Sequence, residues 1–181
     1  MQTEILIAGF GGQGILFAGQ VLAYAAMDAG NIVTWIPSYG PEMRGGTANC
    51  AVVIADSAIG SPLVPRPGVC LVMNKPSLLK YEPMLAPGGL LLWNSSLIDL
   101  QPARDDLRAV AVPANEIAEK EGSARAANMV MLGALARLRP ELASLEAIVR
   151  GLGEMVSARN QQLNAINVAC LKKGHALYAH G

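Results

Sequence analysis

Net charge, histidine and paired cysteine are all scarce in this chain, and each scarcity removes a class of function. Fourteen basic side chains balance fourteen acidic ones, with only two histidines beside them. No summed field draws the chain toward nucleic acid or an anionic membrane surface, and neither is expected as a partner. The three cysteines, Cys50, Cys70 and Cys170, are odd in number, far apart and without a CxxC pair. That pattern disfavours a disulfide framework, a zinc site or an iron–sulfur cluster held by this polypeptide. Buried free thiols in a reducing compartment are expected instead, since Cys50 and Cys70 lie in apolar runs where cysteine acts as a small hydrophobe. No apolar run approaches the ~18 residues of a membrane span. The opening Met1-Gln2-Thr3-Glu4 has no basic segment and leads directly into a strand-like run, so no signal peptide is read there and a cytoplasmic location is expected.

What is abundant is apolar. Hydrophobic residues make up 52% of the 181 positions and charged residues 15%, against the roughly 25% charged usual for soluble domains. The length suits one domain spanning 1–181, able to bury roughly two-thirds of its unfolded surface. The low charge predicts that some apolar surface is left for a protein partner.

The pattern along the chain alternates strands and helices before becoming helical. Residues 4–8 read as a buried strand, Gly14 to about Ala29 as a helix stopped by Gly30-Asn31, and Ile32 to Ile36 as a second strand closed by Pro37. Together these predict a right-handed βαβ unit. Further strands are expected at 49–55, 69–73, 90–93 and 109–112. Asn74-Lys75-Pro76 is placed to cap a short helix ending near Pro83. The strands are apolar runs rather than alternations, which predicts a sheet covered on both faces. Helices follow at about 115–121, 124–138, 144–156 and 159–178. In the last, Leu163, Ile166, Cys170 and Leu177 form a stripe expected to pack into the core, as are Met129 and Met131.

The stretch GFGGQG after the first strand matches GxGxxG through Gly9, Gly11 and Gly14. Such a turn lets backbone N–H groups and a helix N-terminus approach a pyrophosphate. A dinucleotide fold also places an acid about 20 residues on, at the end of the second strand, to bind ribose hydroxyls. Here that strand ends in Ile36-Pro37-Ser38, without one. The turn is therefore read as a cradle for an anionic, phosphate-bearing ligand ahead of NAD or FAD, with close helix–strand packing as the alternative. The loop from Pro37 to Thr47 carries Ser38, Tyr39, Glu42 and Arg44 and leaves the same sheet edge, where loops converge on one crevice. No catalytic residue is nominated: His175 and His180 sit at the C-terminal end, Ser38 and Tyr39 lack a histidine partner in sequence, and Glu42 is read as structural or as a contact.

GFGGQG near the start, SYGPEMRGGTAN in the middle, and Asn128-Met129-Val130-Met131-Leu132-Gly133 together resemble the gamma subunit of 2-oxoacid:ferredoxin (acceptor) oxidoreductases, over Glu4 to about Arg137. The expected fold is a three-layer, Rossmann-like α/β domain. Its sheet is mostly parallel or mixed, with helices on both faces and a helical C-terminal part. The resemblance implies a subunit of a complex that converts a 2-oxoacid and CoA to acyl-CoA and CO2 and passes electrons to ferredoxin. Thiamine diphosphate and 4Fe-4S clusters would then lie on partner chains, alpha and beta with a ferredoxin-like delta as a further candidate, and this chain alone would bind no cofactor. By the same resemblance the glycine turn lies near the CoA site. Gly9, Gly11, Gly12, Gln13, Gly14, Ser38, Tyr39 and Arg44 become the candidate contacts, Gln13 through its amide and Arg44 through a phosphate or a neighbouring carboxylate. The form GPEMRGGTAN is most like the 2-oxoglutarate enzymes, with pyruvate and branched-chain 2-oxoacids next. A free-standing Rossmann-type oxidoreductase and a pure scaffold are the competing readings.

Overall fold

The computed structural model describes residues 1–38, 47–155 and 161–178. Its strands are β1 (Gln2–Phe10), β2 (Ile32–Ser38), β3 (Thr47–Ala55), β4 (Val69–Val72), β5 (Leu90–Asn94) and β6 (Arg108–Val112). Its helices are α1 (Ile15–Asp28), α2 (Lys75–Tyr81), α3 (Ala114–Lys120), α4 (Ala127–Leu138), α5 (Leu145–Met155) and α6 (Gln161–Ala176). Short 3-10 turns at Glu82–Met84 and Ala124–Ala126 follow α2 and precede α4.

One sheet runs in the order β2-β3-β1-β4-β5-β6. β1, β4, β5 and β6 are parallel neighbours, whereas β3 is antiparallel to both β1 and β2. The sheet is thus mixed, and the expected βαβ unit needs correcting. β1 and β2 run in the same direction but never pair, because β3 lies between them, matched from Gln2↔Ala55 to Phe10↔Thr47 on one side and from Ile32↔Ala55 to Ser38↔Asn49 on the other. A strand–helix–strand pattern encodes strand direction; the partner comes from the return of the chain after Ser38.

Period-2 alternation splits the apolar runs between two faces. Ile5, Ile7, Cys50, Val52, Ile54, Leu71 and Leu92 meet the layer of α1, α4, α5 and α6. Leu6, Ala8, Cys70, Val72, Leu91 and Trp93 meet Leu78, Tyr81 and Leu85 of the α2 segment. The expectation of cover on both faces holds for β4 and β5, which are buried throughout, and fails for the edge strands β2 and β6. Asn74 caps α2 as read from sequence, its Oδ1 accepting from the Ser77 N–H at 2.8 Å.

Met129 and Met131 are buried as expected. Two glycines explain why α4 and α6 pack so closely: a Cβ on Gly133 would lie 2.0 Å from the Leu171 carbonyl oxygen, and one on Gly174 2.0 Å from that of Val130. The backbones themselves touch. This crossing corrects the stripe read on α6, for Cys170 and Leu171 are buried while Leu163 and Leu177 are exposed. Contact through a glycine narrows the buried face to the residues beside it.

Candidate functional site

The turn from β1 into α1 is built by residues that suit different constraints. Gly12 has φ +92° and Gly14 φ +70°, the left-handed region that side-chain-bearing residues avoid. Gly9 is extended and buried for another reason: a Cβ there would lie 2.6 Å from both Gln13 Oε1 and Ile15 Cδ1. Gln13 folds over that space. Its Oε1 accepts from the Phe10 N–H at 2.7 Å and from Asn74 Nδ2 at 3.5 Å, and its Nε2 donates to the Met73 carbonyl at 3.4 Å. The Gln13 amide expected to face a ligand is therefore engaged within the turn. Gly11 is exposed at the tip.

The turn forms one wall of a cleft of about 180 Å³ lined by Gly12, Gln13, Met73, Asn115, Ala124, Arg125 and Ala127. The cleft sits at the carboxyl ends of β1 and β4, where the neighbours of β1 change from antiparallel to parallel. In open α/β sheets this edge is where ligands bind. The starts of α1 and α4 border it, and neither cap residue, Gly14 or Ala126, supplies a capping side chain. Both helix dipoles add positive potential there, although in α4 the Ala127 N–H already donates to the Ala124 carbonyl and the Met129 N–H to Asn128 Oδ1. Arg125 is exposed, is the one charged residue of the lining, and has no ion-pair partner among the described residues. Asn115 is steadied by the buried Asn94, whose Nδ2 donates to Asn115 Oδ1 at 2.8 Å. The cleft is smaller than the roughly 300–1,000 Å³ of a complete small-molecule pocket. It has room for part of a ligand, with the rest of any larger molecule outside.

Of the residues picked from sequence, Gly12 and Gln13 line the cleft, Gly14 borders it and Gly9 lies beneath it. Ser38 does not reach it. The register Ser38↔Asn49↔Ala8 puts Ser38 two strand spacings, about 10 Å, from β1. Tyr39, Glu42, Arg44 and His180 lie outside the described residues. Asn115 and Arg125 carry no signal in the sequence, and Asn128 stands there only within a motif. They come from the helical half, and nothing local in sequence ties them to the glycine turn.

Among the described residues no three His, Cys, Asp or Glu side chains gather where they could hold a metal ion. Burial pushes the Cys50 thiol up to about 12, only partly offset by the Trp35 indole, and the Cys170 thiol up to about 11. Complete burial pushes the Cys70 thiol up further. Such thiols are poor ligands and poor nucleophiles, and these residues do not fit an iron–sulfur cluster. No described helix is long and apolar enough to cross a membrane.

Sheet order and cleft define a Rossmann-like α/β domain with a small crevice at the carboxyl ends of β1 and β4. The chain belongs to the pyruvate ferredoxin/flavodoxin oxidoreductase family, whose model matches residues 4–177. It is 47% identical over 137 residues to ketoisovalerate oxidoreductase subunit VorA of Methanothermobacter thermautotrophicus, covering 76% of this chain and 28% of that relative. It is 34% identical over 169 residues to 2-oxoglutarate synthase subunit KorC of Methanocaldococcus jannaschii, covering 92% of this chain and 90% of the relative. The keto/oxoacid ferredoxin oxidoreductase gamma subunit of Geobacter sulfurreducens superposes with a TM-score of 0.81 at 29% identity, over 96% of each chain. The chain thus spans little more than a quarter of the ketoisovalerate relatives, but 90% of that KorC subunit and 96% of the Geobacter gamma subunit.

Proposed function

We propose that residues 1–181 act as one gamma-type domain in a 2-oxoacid:ferredoxin oxidoreductase, where the cleft beside Gly12 and Arg125 holds a phosphate group of CoA. The reaction converts a 2-oxoacid and CoA to acyl-CoA and CO2. Its carbon and electron chemistry would be supplied by thiamine diphosphate and 4Fe-4S clusters on partner chains, with ferredoxin as the acceptor. This chain's residues bind and orient. Two helix starts and Arg125 supply positive potential, and the amides of Asn115 and Gln13 shape the wall.

The observation that carries this reading is a lining with one cation, unpaired among the described residues, and no carboxylate. A phosphate fits that lining. An NAD-type site lacks support, since β2 ends without an acid and stands two strands away. The near full-length match to a 2-oxoglutarate synthase subunit favours 2-oxoglutarate as the substrate, with 2-ketoisovalerate and pyruvate as the comparison substrates in an assay of the complex purified through this chain. For the cleft, calorimetric titration of that complex with CoA is expected to show Arg125→Ala weakening binding about tenfold or more, the size of a charge-assisted contact. Unchanged affinity would remove the cleft from the CoA site and leave the scaffold reading.

A further inference from the structure

One buried amide joins the glycine turn to a segment 114 residues later in the chain. Asn128, only 6% exposed, donates from Nδ2 to the Gly14 carbonyl at 3.0 Å, while its Oδ1 accepts from the Met129 N–H at 3.0 Å. The Gly14 carbonyl also accepts from the Ala18 N–H at 3.0 Å, the first helical bond of α1. A single oxygen therefore anchors both α1 and the link to α4. The fit is close: a Cβ on Gly14 would lie 2.4 Å from Asn128 Nδ2. The neighbours of this pair in sequence are the cleft walls themselves, Gly12 and Gln13 on one side and Ala127 on the other.

We propose that Asn128 is a positioning residue that clamps the Gly12–Gly14 wall of the cleft to the Ala127 wall and so sets the width of the opening. It touches no ligand. Its functional consequence rests on the cleft being the CoA phosphate site, but the clamp can be tested separately. The chemistry requires an amide. An aspartate would set a carboxylate oxygen against the Gly14 carbonyl, and a leucine of similar size would offer no donor. In both variants Gly14 keeps its bond from Ala18, so the damage stays local.

The test is hydrogen exchange on the complex purified through this chain, with the wild type, Asn128→Asp and Asn128→Leu. The backbone amides of residues 11–17 are expected to exchange about tenfold faster or more in both variants, the effect of losing one neutral hydrogen bond, while those of α5 and α6 keep their wild-type rates. In steady-state assays the KM for CoA is expected to rise about tenfold with kcat within about twofold. Unchanged exchange at 11–17, or acceleration spread evenly over every helix, overturns the clamp. If both variants fail to fold, Gly14→Ala, which displaces the Asn128 amide from the other side, is expected to give the same local acceleration, and its absence overturns the clamp equally. Failure of CoA to protect residues 11–17 in the wild type refutes the CoA assignment, and the exchange comparison still decides the clamp.

Discussion

The two halves of the sheet are made of similarly apolar strands and end in different states. β4 and β5, in the parallel half, are buried on both faces, and the strands of this half run into turns and helices that shape the cleft. β2 and β3 contain no charged residue, yet β2 is an edge strand with Ile32 47% and Ile36 37% exposed. Beside it, Tyr24, Met27, Val33, Trp35 and Met155 line an apolar cleft of about 270 Å³. Edge strands usually carry charge, proline or a bulge against stray pairing, and only Pro37 serves that purpose here. Exposed Ile32, Ile36 and Met27 make this edge one of several apolar stretches on the surface. The crossover from β4 to β5 carries α2 and covers one face, whereas among the described residues the connection from β5 to β6 and the antiparallel return from β2 to β3 lay no helix over the outer strands, and both edges stay open.

That contrast predicts that stability resides in the central strands and the helices packed on them rather than at the open edge. The largest effect is expected at the α4–α6 crossing. Gly133→Val places carbon against a backbone carbonyl that no side-chain rotation can move, and a loss above about 4 kcal/mol is expected. Circular dichroism should find little folded chain; a cooperative transition near the wild-type midpoint would mean that the crossing can spread at little cost. Next comes Leu71→Ala on β4, fully within the core, expected to cost about 2–5 kcal/mol in urea unfolding.

Sequence reading recovered what depends on neighbours along the chain. The strands and helices fall close to where periodicity placed them, Asn74 caps α2, and a glycine turn joins β1 to α1. What it lacked was sequence-distant. The insertion of β3 between β1 and β2 depends on pairing after a return loop, and with it went the expected proximity of Ser38 to the turn. Asn128 and Gly133 stood in a quoted motif whose physical reasons, a hydrogen bond to Gly14 and a backbone contact with Leu171, appear only when α4 meets its neighbours.

Cysteine reactivity gives a finer comparison, because Cys70 lies on β4 and Cys50 on β3, both buried and unpaired. Each thiol titrates higher folded than unfolded, so its contribution to stability is complete below the unfolded value. For Cys50 that contribution is lost as pH climbs from the ordinary 9.0 to about 12. At pH 8 the native chain is expected to leave both thiols unmodified by a disulfide reagent. In mild denaturant Cys50 should react before Cys70 if the antiparallel half opens first. Equal rates, or Cys70 reacting first, would show the sheet opening as one unit and erase the distinction.

The smallest effect is expected where exposure is already partial. Ile36→Thr keeps a β-branched residue on β2, so strand propensity is preserved, and the side chain it replaces is more than a third exposed. Urea unfolding should shift by under about 0.5 kcal/mol, with an unchanged slope because the buried area hardly changes. A loss comparable to that of Leu71→Ala would mean that β2 shares the core of the parallel strands despite its open side, and the two halves would then differ in topology alone.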